Sequence, residues 1–341
     1  MRSTRREFIH RSIKACWAAG CGALAAGDLA ARDCAAEEAS RLPIVDTHQH
    51  LWDLERLRPP WVDRAAEILR RSYGTEEYLQ ATRGLNVVKA VYMEVDVDPR
   101  RHVEEAEYVI GLCRSGAHPT VAAVISGRPA SPDFRPYIVR FRGSPYVKGV
   151  RQVLHRADTP AGMCLQEAFV QSMRLLGELG MSFDLCLRPR ELGDAVRLAD
   201  RCPETRFVLD HCGNADPKAF LPAAARGDEP PAHEPDPWRR DIRELAKRQN
   251  VICKISGIVS RVPRGKWEAG MLAPIINHCL DEFGPERVVF GGDWPVCLVA
   301  ASYRQWVTAL QEVIAGRSRE DQRKLLHDNA VRCYALSQGG S

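Results

Sequence analysis

Beyond Arg41 the chain repeats one theme, a short apolar, β-branched run followed by a stretch whose apolar positions recur every three or four residues. The apolar runs are Pro43–His50, Val88–Asp96, Thr120–Ser126, Val147–Leu154, Ser182–Leu187, Arg206–His211, Val251–Ser256 and Arg287–Asp293. Between them, Glu167–Gly180, Arg190–Arg201, Trp238–Asn250 and Trp267–Phe283 carry helical spacing, and several end at a Gly or Asn stop. Eight alternations of strand and helix predict an α/β fold built as a single closed (β/α)8 barrel over residues 41–337.

A barrel of this kind places its chemistry at the C-terminal ends of the strands. The first run leads into His48 and His50. Residues two apart in a strand point to one side, so both imidazoles are expected to enter one cavity, joined on that parity by Asp46. Such a pair suits a divalent metal, or a bound anion and a polarised water. The fourth run carries Arg151 and then His155, and the fifth is followed by Arg188. The sixth ends in Asp210-His211, the seventh holds Lys254 and Ser256, and the eighth ends in Asp293 after two glycines that leave room for a ligand. Polar groups at the same end of many apolar strands are costly to bury without a purpose.

Charge and cysteine content narrow the picture. Lys and Arg number 48 against 44 for Asp and Glu, a net +4, and six of the basic residues fall in Met1–Cys34. The remainder is close to neutral, which predicts no nucleic-acid or membrane-surface partner. Within the first 40 residues, Arg5-Arg6-Glu7-Phe8-Ile9 and the uncharged run Ala15–Ala26 read as a twin-arginine-type signal peptide and linker. That predicts a periplasmic protein; Ala18-Ala19-Gly20-Cys21 faintly resembles a lipid-anchoring site, and the run is too short to span a bilayer. The twelve cysteines are irregularly spaced with no C-x-x-C pair, which predicts buried free thiols.

Asp46-Thr47-His48-Gln49-His50-Leu51-Trp52-Asp53, Lys148-Gly149-Val150-Arg151, Asp210-His211-Cys212-Gly213, Lys254-Ile255-Ser256-Gly257 and Phe290-Gly291-Gly292-Asp293-Trp294-Pro295 resemble the successive motifs of the amidohydrolase superfamily. The resemblance is narrower to its branch of sugar-acid and pyrone-dicarboxylate lactonases, and Asp328-Asn329-Ala330 with Tyr334 resembles the closing motif. It implies that Asp293 takes a proton from the attacking water, that His48 and His50 are a metal-ligand pair, that His211 lies near the substrate and that Arg151 binds it. The fifth run departs from the dinuclear members, reading Phe183-Asp184-Leu185-Cys186-Leu187-Arg188 where they carry a histidine. At most one divalent metal, zinc or similar, is therefore expected at His48, His50 and Asp293, with metal-independent activity left open. Glu94 is either a substitute ligand or a salt-bridged acid.

The residues themselves suggest opening of a cyclic ester: Asp293 supplies a base, and Arg151, Lys254 or the histidines supply positive charge where the carbonyl oxygen gains electrons. Arg151, Arg188 and Lys254 favour an anionic or polyhydroxylated small molecule, with Trp52 and Trp294 beside it. The segments Trp52–Tyr73 and Asn214–Pro237 are long enough to act as lids, and the Pro-rich second one also suits a homo-oligomer contact. A metal-dependent decarboxylase or hydratase, and a non-catalytic carbohydrate-binding barrel, are the competing readings.

Overall fold

In the computed structural model of the protein, residues 42–222, 226 and 230–337 are described. The signal-peptide assignment to residues 1–40 lies outside the described residues. In chain order the elements are β1 (Ile44–Gln49), α1 (Thr75–Thr82), β2 (Val87–Met93), α2 (His102–Ser115), β3 (Thr120–Ser126), α3 (Phe134–Val139), β4 (Val147–Val153) and α4 (Glu167–Glu178). They continue as β5 (Ser182–Cys186), α5 (Leu192–Arg201), β6 (Arg206–Leu209), α6 (Pro235–Ala246), β7 (Val251–Ile255), α7 (Ala269–Phe283), β8 (Val288–Phe290), α8 (Tyr303–Val313), α9 (Arg319–Arg323) and α10 (Asn329–Cys333).

The eight strands pair in parallel in sequence order, forming the predicted barrel. Each apolar run identified in the sequence holds one strand, usually one or two residues shorter than the run; β2 starts one residue before its run, at Val87, and β8 covers only three residues of its run. The helices bury one face each: Phe169, Val170, Met173 and Leu176 on α4, and Leu192, Ala195, Leu198 and Ala199 on α5. Helix α6 begins three residues before the expected Trp238, because Pro235 sits at its first position, where a missing N–H costs nothing. Ser302 and Gln305 form a reciprocal capping box that starts α8. Among the described residues no helix is long and apolar enough to cross a membrane.

The seam between β8 and β1 is closed largely by side chains. His50 N donates to Trp294 O at 2.7 Å, Thr47 Oγ1 to Phe290 O at 2.6 Å, and Gly292 N to Asp46 Oδ1 at 2.7 Å. Asp46 also accepts from His48 N and from the hydroxyls of Tyr78 and Tyr303, at 2.9–3.0 Å. It is therefore a seam staple facing the helices, which corrects its expected place beside the histidines. The cause is a register irregularity: Asp46 pairs with Ala90 but Gln49 with Tyr92, so β1 carries one extra residue and its parity flips.

Val45, Val91, Ala122, Val124, Val208 and Val289 fill the barrel floor, which Ala330, Tyr334 and Leu336 seal. Asn329 Nδ2 anchors that plug by donating to the carbonyls of Pro285 and Val288 at 2.7 and 2.8 Å, which gives the closing motif its physical role.

Candidate active site

Above the floor lies a layer of buried charge. Lys254, wholly buried, places Nζ 2.6 Å from Asp184 Oδ2 and 2.9 Å from Asp210 Oδ1. Arg151 sets Nε 2.6 Å from Glu94 Oε1 and Nη1 3.3 Å from Asp210 Oδ2. Burial opposes ionisation of both aspartates, but Lys254 above all holds Asp210 well below the usual carboxylate range, while Asp184 is pushed up to about 7. Two acids share one lysine, and Asp210 keeps the charge.

Over this layer opens a cavity of about 420 Å³ at the C-terminal ends of the strands. Its polar lining includes His50, Arg151, His155, His211, Arg261 and Asp293, and Trp52, Trp61, Leu69, Val95 and Val299 form an apolar wall. The predicted first lid thus lines the cavity. Its base is pinned by paired backbone bonds between Trp52 and Tyr73, at 3.0 and 2.9 Å.

His48, His50 and Asp293 come together as expected. His50 Nδ1 lies 3.0 Å from Met93 O, which can only accept, so Nδ1 carries the proton and Nε2 presents a lone pair when the ring is neutral. That lone pair faces Asp293 Oδ1 at 3.4 Å. Two acceptors confronted in this way call for a proton donor or a cation between them. His48 is kept neutral mainly by burial, with Lys254 and His211 adding to the effect against the pull of Asp210. Its Nε2 accepts from Arg151 Nη1 at 3.2 Å and lies 3.7 Å from Asp293 Oδ1.

Bonds of about 2.0–2.1 Å in a tetrahedral zinc site would set neighbouring ligands about 3.4 Å apart. The three lone pairs therefore fit one divalent ion in an open three-ligand site, provided Arg151 releases His48 Nε2. Glu94 is not a further ligand. It is spent on Arg151, Ser126 Oγ and Asp96 N.

His211 and Asp293 share an uncommon backbone. His211, Cys212, Gly213 and Asn214 have φ of 55°, 52°, 69° and 55°, a single left-handed turn, and Asp293 sits at φ 52°. Each non-glycine residue there costs about 1–2 kcal/mol, so surrounding contacts must impose the conformation. Trp238 Nε1 donates to Cys212 O at 3.0 Å and Asn214 Nδ2 to Leu187 O at 2.7 Å. The turn aims His211 into the cavity, where Ser256 Oγ lies 2.9 Å from Nδ1 and burial depresses its basicity. Gly257 makes room for this ring, since a Cβ there would lie 2.2 Å from His211 Nδ1. Gly257→Ala is expected to lower kcat/KM by about 10²-fold, the scale of an ångström displacement at a reacting centre; steady-state kinetics on the folded variant check this.

Three sequence expectations are corrected. Arg188 is turned away from the cavity by Glu191, at 2.8 Å, and by the carbonyls of Arg156 and Thr159. Lys254 lies under the cavity, consumed by its two aspartates. Trp294 packs edge-on against Tyr73 and Tyr78 at 5.2 and 5.3 Å, outside the lining. Conversely, Arg261 lines the cavity without being singled out in the sequence, and beside it lies Asn214, the first residue of the expected second lid. Arg261 Nη2 donates to Asn214 Oδ1 at 3.2 Å, and no carboxylate pairs with it among the described residues. Its place in the loop after the seventh strand was the available signal.

The family model described as Amidohydrolase matches residues 45–336, nearly the whole described barrel. The chain belongs to the amidohydrolase family. This amidohydrolase is 29% identical over 303 residues to an L-fucono-1,5-lactonase of Burkholderia multivorans, covering 86% of this chain and 96% of that one. It is 24% identical over 212 residues to an L-rhamnono-gamma-lactonase of Scheffersomyces stipitis, covering 56% and 59%. Among solved structures it resembles a zinc-bound amidohydrolase of Burkholderia multivorans with a TM-score of 0.72 and 26% identity, over 86% of this chain and all of that one.

Proposed function

We propose that this amidohydrolase is a lactonase that opens the cyclic ester of a sugar acid or a related carboxylated compound, with Asp293 as the base. The observation that carries this reading is the convergence of Asp293 Oδ1 and His50 Nε2, 3.4 Å apart, at a cavity that also holds a cationic Arg261. The two lactonase relatives support the class of bond.

A water donating to both acceptors would be fixed and polarised. As it attacks the lactone carbonyl, its proton passes to Asp293, and the carbonyl oxygen becomes an oxyanion. Arg261 and the neutral His211 are the groups available to receive that oxygen or a substrate carboxylate. Collapse breaks the ring C–O bond, and the proton on Asp293 passes to the departing alkoxide, leaving a hydroxy acid. A divalent ion held by His48, His50 and Asp293 would supply Lewis-acid polarisation at the same end of the cavity.

Hydrolysis of a panel of aldonolactones and carboxylated lactones, run with and without chelator, tests the assignment; no turnover of any lactone would reject it. Arg261→Ala is expected to lower kcat/KM on a carboxylated lactone by about tenfold or more, the scale of one hydrogen bond to a charged group. An equal loss on an uncharged lactone would remove Arg261 from anion recognition. Elemental analysis should find at most one divalent ion per chain that is lost in His50→Asn; two such ions retained through dialysis would contradict the three-ligand count.

A further inference from the structure

Cys212, Cys253 and Cys279 arrive from three different elements, the left-handed turn after β6, strand β7 and helix α7. All three are completely buried, and their sulfurs lie within 4.8 Å of one another. Alternation along β7 puts Cys253 on the face opposite Lys254, so the trio lies between the barrel wall and α7, away from the ionic layer inside. Among the described residues the nine cysteines are all free and buried, and only these three gather.

Buried thiols ordinarily pack as small apolar groups, which would account for any one of them. The group differs in its convergence: Cys212 is held at φ 52°, ψ 38°, a conformation a residue with a Cβ reaches only under constraint, and its sulfur lies within 4.8 Å of the other two.

We propose that Cys212, Cys253 and Cys279 form a binding site for one soft, monovalent d10 metal ion of the copper(I) type. Three sulfurs about 2.3 Å from a central ion would stand about 4 Å apart in a trigonal plane, within the separation observed. The group contains no histidine or carboxylate to complete the tetrahedron that zinc prefers, and thiolates select soft ions. On binding, each thiol that becomes a thiolate ligand releases its proton to solvent, and no electron is transferred. Because Cys212 follows His211 directly, the ion would also brace the turn that carries His211 into the active site.

The full-length protein, reduced and handled without oxygen, is titrated with copper(I) in competition with a copper(I) chelator. The parent and Cys113→Ser, a control on α2, are expected to bind one equivalent with a rise in melting temperature. Cys253→Ser and Cys279→Ser should weaken binding at least 100-fold and abolish the rise. X-ray absorption of the loaded parent should show three sulfur neighbours, and this measurement decides if the variants do not fold. A nitrogen or oxygen neighbour, undiminished binding by the folded variants, or a parent that cannot compete with the chelator would each overturn the proposal.

Discussion

Asp293→Asn is expected to slow hydrolysis of any lactone the parent turns over by about 10²- to 10⁴-fold, the scale of a lost general base, while leaving the melting temperature nearly unchanged. The separation between the two effects follows from the geometry. Asparagine matches aspartate in size and tolerates the left-handed backbone that Asp293 adopts at φ 52°. Its amide N–H can donate to His50 Nε2, the lone pair that confronts the carboxylate at 3.4 Å, so one acceptor pair becomes a hydrogen bond. What disappears is the capacity to take a proton from water. A stable variant with near-parental turnover would show that Asp293 is not the base; a variant that loses stability as much as activity would mark it as a structural acid pinning the histidines.

Much of this arrangement is legible in the sequence, because in a barrel the end of each apolar run is also a place in space. His50, His211 and Asp293 close apolar runs, His48 and Arg151 lie near the ends of theirs, and the five come together at one end of the barrel. The same rule fails where a local irregularity or a partner intervenes. Asp46 shares parity with His48 on paper, but one extra residue in β1 turns it to the seam. Arg188 and Lys254 look like cations awaiting an anion; Glu191 neutralises the first from three residues away, and Asp184 and Asp210 neutralise the second across the barrel. That second pairing is tertiary information, absent from any spacing.

Arg261 escapes for the opposite reason. It follows no apolar run closely enough to be noticed, yet the turn beginning at Gly257 returns it to the cavity wall. The left-handed turn at His211–Asn214 is equally hidden. Gly213 and Asn214 suit such a backbone, whereas His211 and Cys212 do not, and the hydrogen bonds from Trp238 to Cys212 O and from Asn214 to Leu187 O hold it in place. Loop chemistry and strained turns, rather than strands, are where sequence reasoning gives out.

The largest loss of stability is expected at Lys254. Lys254→Met removes the ammonium but keeps an unbranched stem, leaving Asp184 and Asp210 fully buried against each other; breaking a buried pair in this way costs about 3–5 kcal/mol. Arg151 stays 3.3 Å from Asp210 and tempers the loss, so the lower end of that range is expected. The effect should depend on pH in a definite direction. In the parent, Asp210 titrates below its unfolded value, so it contributes stability above the unfolded carboxylate pKa and loses it as pH falls. Without Lys254 the folded pKa of Asp210 rises, and Asp184, already pushed up to about 7, loses the cation that restrains it. A carboxyl group whose folded pKa lies above its unfolded value contributes stability that is complete below the unfolded value and is lost as pH rises through the folded one. Both changes have the same sign, so the gap between variant and parent should shrink toward acid pH and widen through pH 7. Urea denaturation at pH 5 and pH 8 measures this gap directly. Adding Asp184→Asn should recover part of the deficit at pH 8, since it removes one of the two stranded acids. An equal deficit at both pH values, or none at pH 8, would mean that Lys254 is not what allows these acids to lie inside the barrel.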